Sequence, residues 1–146
     1  MSNYFYSILI ICIAGLASCN TPPEDVKEII TSKTMSVVIG TYTQKEGHVD
    51  GKADGIYIYL LDTVNGNLSF HSTIKGITNP SYVASQDENI IAASEVNPGL
   101  LYHYTINYDS LTIEKKSTIA SYGTYPCHVS ISADGQFAFI ANYGTG

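Results

Sequence analysis

From residue 35 onward, apolar and polar positions alternate in short runs, and no stretch keeps the 3.6-residue period of an amphipathic helix. The runs are rich in Val, Ile, Thr and Tyr, which fit a pleated, half-buried surface. Gly, Asn, Asp and Pro punctuate them. The pattern predicts strands over 36–43, 55–62, 68–74, 81–85, 90–96, 100–106, 111–119, 127–132 and 136–143. Residues 44–54 read as a charged, Gly-containing loop. Asn65-Gly66 is a two-residue hairpin signal, because both residues tolerate the positive φ of a type I′ turn. The expectation is an all-β chain.

The runs also repeat. Gly55-Ile56-Tyr57-Ile58-Tyr59 matches Gly99-Leu100-Leu101-Tyr102-His103-Tyr104, and Asn65-Gly66-Asn67-Leu68 matches Tyr108-Asp109-Ser110-Leu111. Pro80-Ser81-Tyr82-Val83 matches Pro126-Cys127-His128-Val129. The implied unit is four strands with a period of about 45 residues, the size of a β-propeller blade. About two and a half such units fit between Ser36 and Gly146. Propellers close with at least ~4 blades, so either the chain oligomerises or it is a fragment of a larger propeller; its end inside a blade favours the fragment.

If each Pro opens the innermost strand of a blade, antiparallel pairing sets the start of that strand beside the end of the second. His128 then falls opposite roughly Ala141, next to Asn142 and Tyr143. Tyr82 falls near Ser94-Glu95, and Gly40-Thr41-Tyr42 holds the equivalent strand end in the first unit. All collect at one mouth of the central channel, where a ligand can sit.

Composition removes several function classes. The 146 residues carry 7 basic side chains, all Lys, against 13 acidic ones, for a net charge of −6. Phosphate backbones are bound through clustered Lys and Arg, so nucleic acid is not an expected partner. With no Arg, these residues hold no bidentate clamp for a carboxylate or phosphate. His48, His71 and His103 have no metal-ligand spacing; His48, Asp50 and Asp54 read as a solvated acidic loop, with a cation-holding loop as the other reading. Gly144-Thr145-Gly146 ends a strand instead of opening a helix, so it is not a phosphate loop.

Tyr4 to Leu16 is an apolar run, shorter than the ~20 residues that span a bilayer and suited to a signal-peptide core. Leu16-Ala17-Ser18-Cys19 resembles a bacterial lipobox, although no Lys or Arg precedes it. The expected organisation is a signal peptide over 1–18, lipidation at Cys19, a polar tether over 19–34 and the propeller domain over 35–146. A short helix over Glu24 to Ile30 fits within that tether. Membrane contact is then by lipid anchor only, with the domain held at the cell envelope, periplasmic or on the surface. The alternatives are an ordinary secretory signal or a misassigned start codon. Cys12 leaves with the leader, so Cys127 is the remaining thiol. It reads as a small buried residue at a strand start, with a nucleophilic role beside His128 as the other reading.

Val38-Ile39-Gly40-Thr41-Tyr42-Thr43, Asn79-Pro80-Ser81-Tyr82, Pro126-Cys127-His128-Val129 and Ala141-Asn142-Tyr143-Gly144 occur in an order and spacing that resembles the N-terminal part of the seven-bladed propeller lactonases. This is the bacterial 6-phosphogluconolactonase family, with fungal carboxy-muconate cyclising enzymes as relatives. The resemblance implies hydrolysis of a sugar lactone to its acid, with a small-molecule substrate and no required metal or cofactor. It assigns His128 as general base or acid. Glu95 stands where relatives carry Asn-Glu, to orient His128 or bind substrate hydroxyls. Asn142 would donate to the lactone carbonyl oxygen, with Tyr143 and Tyr42 as further substrate-binding residues. Phosphorylated gluconolactone is a cytoplasmic metabolite, so an exported relative would meet other lactones. The competing readings are a structural His128, a solvated Glu95, a turn-capping Asn142 and, for the protein, a non-catalytic propeller that only binds.

Overall fold

The computed structural model describes residues 34–146; the leader, Cys19, Glu24 to Ile30 and the rest of the tether lie outside the described residues. Eleven strands follow in order: β1 (Thr34–Ile39), β2 (Lys45–Glu46), β3 (Val49–Asp50), β4 (Gly55–Asp62), β5 (Leu68–Lys75), β6 (Tyr82–Gln86), β7 (Asn89–Ser94), β8 (Leu100–Asn107), β9 (Thr112–Ala120), β10 (Pro126–Ile131) and β11 (Ala138–Asn142). The described residues contain no helix. The predicted all-β texture is what the described residues adopt.

Pairing gives a complete four-stranded antiparallel sheet, β6-β7-β8-β9, flanked in sequence by the three-stranded sheet β1-β4-β5 and the hairpin β10-β11. These are the outer three strands of one blade, one whole blade and the inner half of a third. The repeat is cleaner in register than in sequence. Gly55 pairs with Lys75 and Leu61 with Leu68, while Leu100 pairs with Ala120 and Ile106 with Ile113, each set 45 positions on. A β-bulge interrupts both ladders at equivalent places, Ile58/Tyr59 and His103/Tyr104.

Packing explains the alternation. One face of β4 puts Ile56 and Ile58 against Ile90 and Ala92 of β7 and Tyr104 and Ile106 of β8, with Ile77 between them. Each isoleucine so buried is worth about 1.5–3 kcal/mol. This core lies between blades, so a single blade could not form it. The other face of the first sheet carries Tyr57, Tyr59 and Phe70 in edge-to-face contact, with Phe70 59% exposed.

Four sequence expectations change. The first strand ends at Ile39 instead of Thr43, because Thr41 N–H donates to the Pro80 carbonyl at 2.8 Å, in the next blade's linker. The loop predicted over 44–54 contains the β2–β3 hairpin, turned at Gly47 with φ 52°. Asn65-Gly66 is not a type I′ pair, since only Gly66 has positive φ. Instead Gly66 N–H reaches the Asp62 carbonyl, and Asp62 Oδ1 accepts from Val64 N–H at 2.9 Å. Asn107 Oδ1 does the same for Asp109 and Ser110, with Leu111 at φ 54° in the place of Gly66. Finally, 136–137 belong to a turn in which Asp134 Oδ1 accepts from Ser132 Oγ and Gln136 N–H, so β11 begins at Ala138.

Blades are joined by Asn79-Pro80 and, 46 positions later, Tyr125-Pro126. Both residues before Pro sit in the left-handed region, at φ 43° and 54°. Each sends its carbonyl to the end of its own blade's second strand: Glu95 N–H to Asn79 at 2.9 Å and Tyr143 N–H to Tyr125 at 2.9 Å. Asn79 is 0% exposed, and its Oδ1 accepts from the N–H groups of Thr43 and Gln44, both at 3.0 Å. Replacing Asn79 by Ala leaves the Thr43 and Gln44 N–H groups without their acceptor and keeps a backbone angle that Ala resists. The expected loss is about 2–4 kcal/mol, read by denaturant unfolding of the full-length protein. Asn79→Gly should lose less, by about 0.5–1 kcal/mol; equal losses would show that the backbone angle contributes nothing.

Candidate active site

Superposing the registers of the three blades puts Gly40-Thr41-Tyr42, Ala93-Ser94-Glu95 and Ala141-Asn142-Tyr143 at one structural position. Tyr42, Glu95 and Tyr143 are therefore the same site in successive blades, just past the second strand. They line one open cleft of about 280 Å³, with Glu46, Gly47, His48, Val49 and Tyr125 completing the wall. The β2–β3 hairpin forms that wall because it is tied back on the first blade. Ala53 N–H donates to the Tyr42 carbonyl, and a Cβ on Gly51 would stand 2.5 Å from that same carbonyl oxygen. Gly51 is what lets the hairpin lie this close.

Tyr42 and Glu95 meet across the blade boundary. Tyr42 Oη donates to Glu95 Oε2 at 2.7 Å, and Ser81 Oγ donates to the same oxygen at 2.5 Å. Both bonds use Oε2, so they leave Oε1 to other partners. Burial, followed by the hydrogen bond to Glu95 and its negative charge, pushes the Tyr42 phenol above the usual tyrosine value of 10.0. The Ser81 hydroxyl opposes this by hydrogen bonding, without reversing it. Cys127 is half-buried and occupies the β-bulge between Pro126 and His128, not the core. Bulges recur beside functional sites because they re-aim neighbouring side chains.

His128 pairs with Ala141 as its sequence position predicts, at the same end of the sheets. It is exposed and does not line the cleft; its ring packs on Tyr82, with centroids 4.7 Å apart and planes tilted by 46°. Tyr82 is the equivalent position in the preceding blade. The described residues thus hold two clusters, Tyr42–Glu95–Ser81 and Tyr82–His128, which meet in sequence at Ser81-Tyr82. No hydrogen bond joins His128 to Glu95 among the described residues. Asn142 is turned away: Nδ2 donates to the Ser121 carbonyl at 3.1 Å, and Oδ1 is buried without a partner. As folded, it secures a linker.

Sequence reasoning passed over His48, Glu46 and Tyr125. His48 was assigned to a solvated loop, although a connection between second and third strands must emerge at the site end. Tyr125 was visible only as the residue before Pro126. Among the described residues, no group of three or more His, Cys, Asp or Glu is arranged to hold a metal.

A family model described as a lactonase, seven-bladed β-propeller, matches residues 36–146. A 6-phosphogluconolactonase of Bacillus subtilis is 35% identical over 113 residues, covering 74% of this chain and 30% of that protein. A solved Bacteroides uniformis structure superposes with a TM-score of 0.65 at 26% identity, covering 77% of this chain and 31% of that one. The periplasmic gluconolactonase of Pseudomonas aeruginosa shares the fold with a TM-score of 0.63 at 23% identity, over 77% of this chain and 32% of that one. The chain thus spans about a third of the length of the proteins it matches.

The Tyr42–Glu95 contact has a titration signature. The neutral phenol is the form held, so its contribution is full below the ordinary tyrosine pKa and is lost as pH rises through the raised value. Ultraviolet titration of the full-length protein, with Tyr42→Phe as the reference, should show the raised group. Glu95→Gln should bring it part of the way back, burial keeping the remainder. No change on Glu95→Gln would mean the carboxylate does not act on the phenol.

Proposed function

The chain belongs to the seven-bladed β-propeller lactonase family, and from that premise we propose that the full-length protein hydrolyses a sugar lactone to its hydroxy acid. The observation that carries this is the convergence of three equivalent strand ends on one cleft, with His128 at the same end of the sheets. Water adds to the lactone carbonyl while the His128 imidazole takes its proton. The ring C–O bond then breaks, and the proton returns to the departing alkoxide, leaving acid and alcohol on one open chain. A neutral imidazole suits both transfers because its ordinary pKa, ~6.5, lies near neutral pH.

Glu95 serves better as a hydroxyl-binding carboxylate than as the group that orients His128. Two bonds already fix it to Tyr42 and Ser81, and it makes none with the imidazole. Tyr42 and Tyr143 supply the substrate wall. Asn142 acts as a donor to the carbonyl oxygen only if its bond to Ser121 is released, so its assigned role is the weaker part of the set. The leader adds a second proposal, that Cys19 is lipidated and tethers the domain to a membrane at the cell envelope.

Full-length protein should open a gluconolactone, followed by acid release, and His128→Ala should lower kcat/KM at least ~100-fold, the lower range for acid–base catalysis. Unchanged turnover would take His128 out of the mechanism. For the anchor, Cys19→Ala should move the protein from the membrane fraction to the soluble fraction; unchanged membrane association would rule out lipidation there.

A further inference from the structure

The cleft carries a charge pattern that lactone opening does not itself require. Glu46 and Glu95 stand in its wall with His48 and the rings of Tyr42, Tyr125 and Tyr143, and among the described residues no Lys lines it. Both carboxylates are held in place. Glu95 is bonded by Tyr42 and Ser81, and Glu46 Oε2 accepts from the buried Asn79 Nδ2 at 3.4 Å. The lysines nearest in sequence are committed elsewhere or lie outside the lining. Lys52 pairs with Asp50 at 2.8 Å and Lys75 with Asp54 at 3.7 Å, and Lys45, next to Glu46 on β2, is not among the residues that line the cleft.

Aromatic faces beside fixed carboxylates suit a polyol ring. Its C–H face lies on the tyrosines, and its hydroxyls donate to carboxylate oxygens, which only accept. A phosphate monoester, carrying about −1.5 to −2 charge near neutral pH, would meet two carboxylates with no cation from this wall, and like charges brought together oppose binding. The cleft volume, about 280 Å³, lies just below the ~300–1,000 Å³ of most ligand sites, and so suits a single ring. Resting on the lactonase reading above, we propose that this cleft is the ring-binding subsite and that it selects an uncharged sugar lactone over its phosphorylated counterpart. The β2–β3 hairpin, through Glu46, is the selecting element.

The test is calorimetric titration of the full-length protein with 1,5-anhydroglucitol and with its 6-phosphate, neither of which can be hydrolysed. The neutral ring should bind at least ~10-fold tighter, a difference of about 1.4 kcal/mol. Glu46→Gln keeps an acceptor for Asn79 while removing a charge, and should narrow that ratio at least ~3-fold, about 0.65 kcal/mol by the same conversion. Tyr143→Ala, far from Asn79 in the bonding network, should weaken the neutral ring by ~5–10-fold, the range of one aromatic contact. Equal or tighter binding of the phosphate, no binding of either ring, or a ratio untouched by Glu46→Gln would each overturn the proposal. Acid release from a lactone judges the catalytic reading separately. Binding with the expected ratio but no turnover would keep the subsite and remove the reaction; turnover with equal binding would do the reverse.

Discussion

Asn79 is the constraint on which the rest of this architecture depends. Fully buried, it accepts the N–H groups of Thr43 and Gln44 through Oδ1, and its own N–H donates to Thr43 Oγ1. Its carbonyl takes the N–H of Glu95. One residue thus ties the end of the first blade's second strand to the linker and to the end of the next blade's second strand. Buried backbone donors that lose their acceptor cost about 1–3 kcal/mol each, so such a junction tolerates little change. Pro80 completes it by offering its carbonyl to Thr41.

Function inherits this junction. Tyr42 lies one residue before the Thr43 that Asn79 binds, and Glu95 is the residue whose N–H meets the Asn79 carbonyl. Their side-chain contact at 2.7 Å is set by backbone bonds made immediately beside it. The same left-handed step recurs at Tyr125, but there the side chain lines the cleft instead of bracing the fold. A propeller can therefore keep one joint at each blade and vary what it projects. In this chain two carboxylates and three phenol rings line the resulting cleft.

His128 and Glu95 answer to different neighbours. Their contacts separate them: Ser81 and Tyr42 hold Glu95, while the ring of Tyr82 packs on His128. Among the described residues the imidazole therefore has no hydrogen-bonded carboxylate partner.

Much of the fold was legible in the sequence. Alternation of apolar positions, the period of about 45 and the two Pro-opened strands determined an all-β repeat and the pairing of His128 with Ala141, because strand pairing and side-chain direction follow from local spacing. The tertiary structure alone decided how the blades are joined and what faces the cleft. Asn79 reaches partners 36 positions back in the chain, and Glu95 reaches Tyr42 across 53; no local pattern encodes such distances. The β2–β3 hairpin looked like loop because its two-residue strands are too short to alternate, and its position depends on contact with Tyr42. Asn142 read as a donor for the same reason: its spacing was visible, but the Ser121 carbonyl that holds its amide was not. Local chemistry set the strands, and long-range hydrogen bonding between blades set the site.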